Sequence, residues 1–215
     1  MSLAAGNRSP PVAASWTIAV TMPFRVALIA TEESAKPLAG RRERELLRAA
    51  QGGSKEAIEQ IYRAHWPRAH RAAFLIVHDG AAAEDIAQEA FLAALRALDG
   101  FDRRRPFGPW LHRIVVNRSI DWTRRRNLRA EVALEPERMG PSASPEAAIG
   151  FTSEIVDALS ELPGDQRAIV VLRHLLDYTP GEIARMVDLP RGTVNSRMRR
   201  ALDSVRRSLG EETTP

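Results

Sequence analysis

Seven of the ten positions from Arg191 to Arg200 carry side chains suited to a DNA surface: Arg191, Thr193, Asn195, Ser196, Arg197, Arg199 and Arg200. Arginine can pair bidentately with guanine and asparagine with adenine, each contact discriminating by roughly 1–3 kcal/mol. A second constellation is Arg113, Asn117, Asp121 and Arg124, whose spacings of four, four and three fall on one face of a helix. Just before it, the stretch from Phe101 to Trp110 mixes Arg104 and Arg105 with Phe107 and Trp110. That mixture suits single-stranded nucleic acid, because cations follow the backbone while rings stack against bases. The competing reading makes both rings core, and for Trp110 taken alone core is preferred.

Charge patterning agrees. The formal net charge is only +4, but Asp102 to Arg129 holds nine arginines against two aspartates, and Pro190 to Leu209 holds six against one. The remainder of the chain is therefore acidic. Two concentrated basic segments are the electrostatic footprint of a protein that meets phosphate backbones.

The elements that must position these groups read as helices, and strand signals are nearly absent. Ser54 can cap a helix carrying Ile58, Ile61, Tyr62 and Ala69, which Pro67 either kinks or divides. Glu84 and Asp85 suit a helix start, with Asp99-Gly100 at its end. One face of that helix is Ala87, Phe91, Ala94, Leu95 and Leu98; another is Asp85, Gln88, Glu89, Leu92 and Arg96. The next helix begins near Pro106 or Pro109 and runs to about Arg126, anchored by Trp110, Leu111, Ile114 and Val115.

From 128 to 150 the periodicity stops amid prolines, glycines and serines, which predicts a flexible linker reaching at most about 75 Å. Beyond it, Ile155 to Leu162 and Ala168 to Leu176 give two helices. Thr179, Pro180 and Glu182 then form a capping box opening a short helix, Asp188-Leu189 a tight turn, and Pro190 the start of a last helix to Leu209. Pro180 to Arg199 thus fits a helix-turn-helix, with Ala184 small at the crossing. The expected fold is all-α: two small helical domains, 41–127 and 151–210, joined by the flexible linker 128–150. Residues 1–40 are set aside as a disordered tail, or as one begun at an upstream start codon with Met22 the true start.

Several function classes recede. With no cysteine and five scattered histidines, neither a disulfide framework nor a metal site is expected. No phosphate-binding glycine loop or nucleophile elbow is present, so no enzyme and no cofactor is expected. The apolar run from Trp16 to Ala30 is too short to span a bilayer and is interrupted by Pro23 and Arg25.

Three stretches, in order, resemble the extracytoplasmic-function group of bacterial sigma factors. They are Glu84-Asp-Ile-Ala-Gln-Glu-Ala-Phe91, the run from Trp110 to Arg126, and Leu162-Pro-Gly-Asp-Gln-Arg167 followed by Glu182-Ile-Ala184 and Gly192-Thr-Val-Asn-Ser-Arg197. The resemblance implies a cytoplasmic initiation factor that binds core RNA polymerase and promoter DNA, with an anti-sigma factor as a further partner. It implies that Asp85, Gln88, Glu89 and Leu92 dock on polymerase. It assigns Arg104, Arg105, Phe107, Trp110, Arg113, Asn117, Asp121 and Arg124 to the minus-ten element, and the residues from Arg191 to Arg200 named above to the minus-thirty-five element. Two departures from the family pattern are Asp188, where glycine is frequent, and Gly181 in a first helical turn. The rival expectation is a stand-alone helix-turn-helix regulator, for which the acidic-apolar face of 84–98 would have no use.

Overall fold

A computed structural model of the chain describes residues 40–132 and 153–209, all helix and connecting turn with no strand among them. Helices α1 (Arg41–Gln51), α2 (Lys55–Val77), α3 (Gly80–Arg96) and α4 (Phe107–Val132) form the first module, with a 3-10 turn at Leu98–Gly100. Helices α5 (Ser153–Ser160), α6 (Gly164–His174), α7 (Pro180–Met186) and α8 (Arg191–Ser208) form the second. The linker expected at 128–150 and the tail before 40 lie largely outside the described residues.

Local chemistry sets most boundaries. Ser54 caps α2, its hydroxyl accepting from the Ala57 N–H at 3.2 Å. Pro67 sits inside α2 without dividing it. Helix α3 begins four residues before Glu84, because the Asp79 carboxylate accepts from the Ala82 N–H at 2.9 Å and supplies the cap. Helix α4 continues past 127 to Val132, into the stretch read as linker. Helix α6 likewise starts at Gly164, four residues earlier than its apolar run. The capping box is present: the Thr179 side chain accepts from the Glu182 N–H, and the Glu182 carboxylate accepts from the Thr179 N–H at 2.9 Å. Asp188 takes the left-handed conformation at φ 53°, as the missing turn glycine requires.

The two modules share a core. Phe74, Leu75, Ile76 and Val77 are consecutive and all buried, so the last turn of α2 has no solvent face. A helix apolar on every side needs partners on every side. Helices α3 and α4 cover part of α2, and α6 of the second module covers another part and also packs on α4. At this junction a Cβ on Gly164 would lie 2.5 Å from the Thr123 hydroxyl oxygen, so a larger residue there must displace Thr123. Nearby, His112 Nδ1 and the Tyr178 hydroxyl are hydrogen bonded at 2.8 Å.

Candidate nucleic-acid and partner interface

The polar stripe of α4 is exposed along its length. Arg113, Asn117, Asp121 and Arg124 all face solvent, while Leu111, Val115, Val116, Ser119, Ile120 and Thr123 are buried behind them. At about 100° per residue the stripe occupies an arc of roughly 80°. Asp121 and Arg124 lie 3.8 Å apart, an exposed pair of small energetic weight.

The loop leading into α4 is built by an element that has no counterpart in the helix-by-helix reading of the sequence, α1. Gln51 Nε2 donates to the carbonyls of Leu98 and Phe101 at 2.8 and 3.1 Å. Glu43, only 6 % exposed, offers Oε2 to the Phe107 N–H at 3.5 Å and so serves the open N-terminus of α4. Its other oxygen lies 3.3 Å from His65 Nε2. The apolar spacing of Leu46, Leu47 and Ala50 was the available signal for this helix.

Phe107 does not face a base. Its ring is fully buried, 5.1 Å from His65 and edge-on to Trp110 at 5.6 Å, so the assignment of Phe107 to direct minus-ten contact is corrected to a core role. Trp110 is half-buried and stacks on Phe101 at 4.5 Å. Arg105 is exposed. Arg104 folds back on Asp102, whose carboxylate accepts from the Arg104 N–H and Nε, both at 3.0 Å. Those hydrogen bonds and the neighbouring arginine charges hold the Asp102 carboxyl below its ordinary range.

On α3, Asp85, Gln88 and Glu89 are exposed and Leu92 is half-buried, forming one continuous face. Glu89 accepts from Arg118 of α4 at 2.5 Å, which ties this acidic face to the flank of the α4 stripe. Arg118 was absent from the sequence-level site.

On α8, Val194 and Ala201 are buried. Arg191, Asn195, Arg199 and Arg200 are exposed, and Thr193, Ser196 and Arg197 are half-buried. Arg197 is committed within the protein: its Nη1 donates to Asp165 Oδ2 at the start of α6, and both side chains are only about 30 % exposed.

Burial also acts on the groups between the modules. It holds the His112 imidazole near pKa 3, helped by the charges of His65 and Arg68. His78 falls to about 3 through burial and the nearby Arg167 charge. Arg167, 8 % exposed, drops to about 10 through burial and the charge of Arg126. Burial thus keeps both imidazoles neutral near pH 7, while Arg167 stays charged there. Among the described residues no group of His, Asp or Glu could hold a metal ion, and no helix is long and apolar enough to cross a membrane.

One chain thus carries an acidic-apolar face on α3, an exposed polar stripe on α4 beside an arginine-aromatic loop, and a capped helix-turn-helix with a basic second helix, the features of a two-module helical protein of the DNA-binding class. Comparison with known proteins narrows the class. Residues 61–129 match sigma-70 region 2 and residues 152–205 match sigma-70 region 4. The chain is 37 % identical over 174 residues to the ECF RNA polymerase sigma factor SigM of Mycobacterium tuberculosis, covering 80 % of this chain and 88 % of that one. It is 29 % identical over 170 residues to SigW of Bacillus subtilis, covering 73 % and 91 %. Among solved structures it is similar to CnrH in complex with the cytosolic domain of CnrY, with TM-score 0.58, 26 % identity, and 80 % and 99 % coverage. The sigma factor RpoE of Bartonella quintana, bound to the anti-sigma factor NepR, shares the fold at TM-score 0.56 and 21 % identity, covering 72 % and 98 %. The chain belongs to the ECF family of bacterial RNA polymerase sigma factors, a family of transcription initiation factors and not, in general, of enzymes.

Proposed function

We propose that the first module, through α3 and α4, docks on core polymerase and holds the opened minus-ten strand, while α8 reads the minus-thirty-five element. One observation carries this assignment: a single chain exposes an acidic-apolar face at Asp85, Gln88, Glu89 and Leu92 beside two separate basic faces. A regulator acting on duplex DNA alone needs only the second basic face. Arg105, Trp110, Arg113, Asn117, Asp121 and Arg124 surround the proposed single-strand path, with Phe107 as its buried floor. Extruding a base costs a few kcal/mol, which a pocket at that stripe must return. Polymerase supplies the chemistry and this subunit supplies addressing and melting, working in the cytoplasm where polymerase works. An anti-sigma factor is the natural further partner, by analogy with the bound relatives.

The domains follow as 41–132 for polymerase and minus-ten binding and 153–209 for minus-thirty-five binding. The names of the two elements put them about 25 base pairs apart, or about 85 Å at 3.4 Å per pair. A compact unit of about 150 residues is only about 40 Å across. The α6 contact with α2 and α4 must therefore open before both elements are engaged.

Co-elution with purified core polymerase tests the assignment. The wild-type chain is expected in the polymerase peak, and Asp85→Arg or Gln88→Arg outside it with the helical fold retained. Co-elution unaffected by both changes would remove α3 from the docking surface. Binding of promoter duplex by the chain alone, with no association with polymerase, would favour the stand-alone regulator.

A further inference from the structure

We propose that Arg197 is a positioning residue rather than a reader of DNA, and that Asp165 is its anchor, the two forming a strut that sets the angle of α8. The inference rests on the reading of α8 as the minus-thirty-five helix and adds a division of labour within it.

Two independent observations support the strut. The first is the contact itself. Among the described residues of α8, Arg197 is the arginine whose guanidinium is held by an acid on another helix, bridging 32 positions of sequence to Asp165. Arg200 and Arg207 bond only to carbonyls one turn back in α8, and Arg206 pairs with Asp203 in the same helix. The second is helical geometry. Counting about 100° per residue, Val194 and Ala201 mark the buried direction, and Arg197 stands about 60° from Val194. Ser196 and Arg199 stand about 160° and 140° from Val194, on the outward side. Asn195 and Arg200 flank them and are exposed. The face that meets a groove is therefore Asn195, Ser196, Arg199 and Arg200, and Arg197 lies on its edge, turned toward α6.

The strut sits where it can matter. Asp165 is in the first turn of α6, where its other carboxylate oxygen accepts from the Gln166 N–H at 2.9 Å, so the acid is itself fixed by the α6 backbone. Fixing α8 to that turn constrains rotation of the reading face about its axis. An ion pair about 30 % exposed on each side is worth little as a stabiliser of the whole fold. Its effect falls on orientation.

The alternative role for Arg197 predicts the opposite sign for one variant. If Arg197 contacts DNA and Asp165 merely competes for it, Asp165→Asn frees the arginine and tightens binding. If the pair is a strut, Asp165→Asn loosens the helix and weakens specific binding. The measurement uses the full chain reconstituted with core polymerase. The probes are a duplex enriched by the wild-type complex from a randomised pool and a scrambled duplex of the same length. Asp165→Asn and Arg197→Ala are each expected to lose about tenfold in affinity for the enriched duplex. Binding to the scrambled duplex stays within about twofold, and the salt dependence keeps its slope, because no phosphate contact is lost. The charge-swapped pair Asp165→Arg with Arg197→Asp restores specific binding to within about threefold.

Tighter binding by Asp165→Asn overturns the strut. So does a fall of about 0.9 in the salt slope for Arg197→Ala, the signature of one lost phosphate contact. If either single variant loses the fold in circular dichroism, the swap decides: a folded swap that does not regain specific binding overturns the proposal. Failure of the wild-type complex to enrich any sequence would instead strike the minus-thirty-five reading itself.

Discussion

Helix α8 packs on α5, α6 and α7, neighbours close to it in the chain. Helix α4 packs on α2 and α3 of its own module and on α6 of the other. Both present an arginine-bearing face to solvent, yet one is positioned from within its own module and the other also by α6 of the second. Pro190 at the N-cap, the capping box on α7, a left-handed Asp188 and the Asp165–Arg197 contact all lie inside the second module. Helix α4 relies on Glu43 and Gln51 of α1 for its entry loop and on Gly164 of α6 behind Thr123. The difference teaches that α8, proposed to read DNA, is held by contacts inside its own module, whereas α4, proposed to hold the opened strand, is also held by the other module.

The largest effect is expected from fixing the contact behind α4. The chain has no cysteine, so Thr123→Cys with Gly164→Cys introduces the only thiols. A Cβ on Gly164 lies 2.9 Å from Thr123 Cβ, and a shift of about an ångström reaches ordinary disulfide geometry. Oxidised protein is expected to give no promoter-dependent transcript and reduced protein a normal one. Equal transcription in both states would show that the modules need not part. Next, Phe107→Ala should lower stability by about 3–5 kcal/mol in denaturant melts. Trp110→Ala should cost less in stability while impairing strand opening. Equal stability losses would erase the distinction between buried floor and half-buried wall.

Asn117→Ala should reduce opening of the minus-ten region about 10- to 100-fold with duplex binding retained. Equal loss at both steps would make Asn117 a structural residue. A smaller effect is expected from pH. His112 and His78 titrate near 3 when buried, against an ordinary 6.5. The parted or unfolded chain thus binds more protons, so the closed arrangement is fully stable above about pH 6.5 and loses stability as pH falls toward 3. Solution scattering should show expansion between pH 7.5 and 5, lessened in His112→Phe. No expansion would contradict a buried, neutral pair. Least of all, Thr179→Ala should cost about 1 kcal/mol and act on the second module alone.

The same contrast governs how much could be read from sequence. The helix-turn-helix was legible because capping and turn chemistry act within a few residues: Thr179, Pro180, Glu182 and Asp188 each state their role locally. The stripe on α4 was legible from its spacing. Phe107 was misread because an aromatic in an arginine-rich loop looks the same whether it points in or out. Its burial follows from Glu43, His65 and Trp110, two of which lie more than forty positions upstream. A further partner for α2 was hinted at by the apolar run Ala72 to Val77, too broad for one packing face, but no periodicity names α6 as that partner. Asp165 likewise reads as a helix-start acid until α8 is folded against it.

As a sigma factor, this chain directs polymerase to open DNA at a place of its choosing. Permanganate footprinting on the enriched promoter measures this directly. Thymines near the minus-ten element should react only when chain and core polymerase are both present, and Asn117→Ala should suppress the signal. Protection of the duplex by the chain without polymerase, and no reactive thymines with it, would contradict the account.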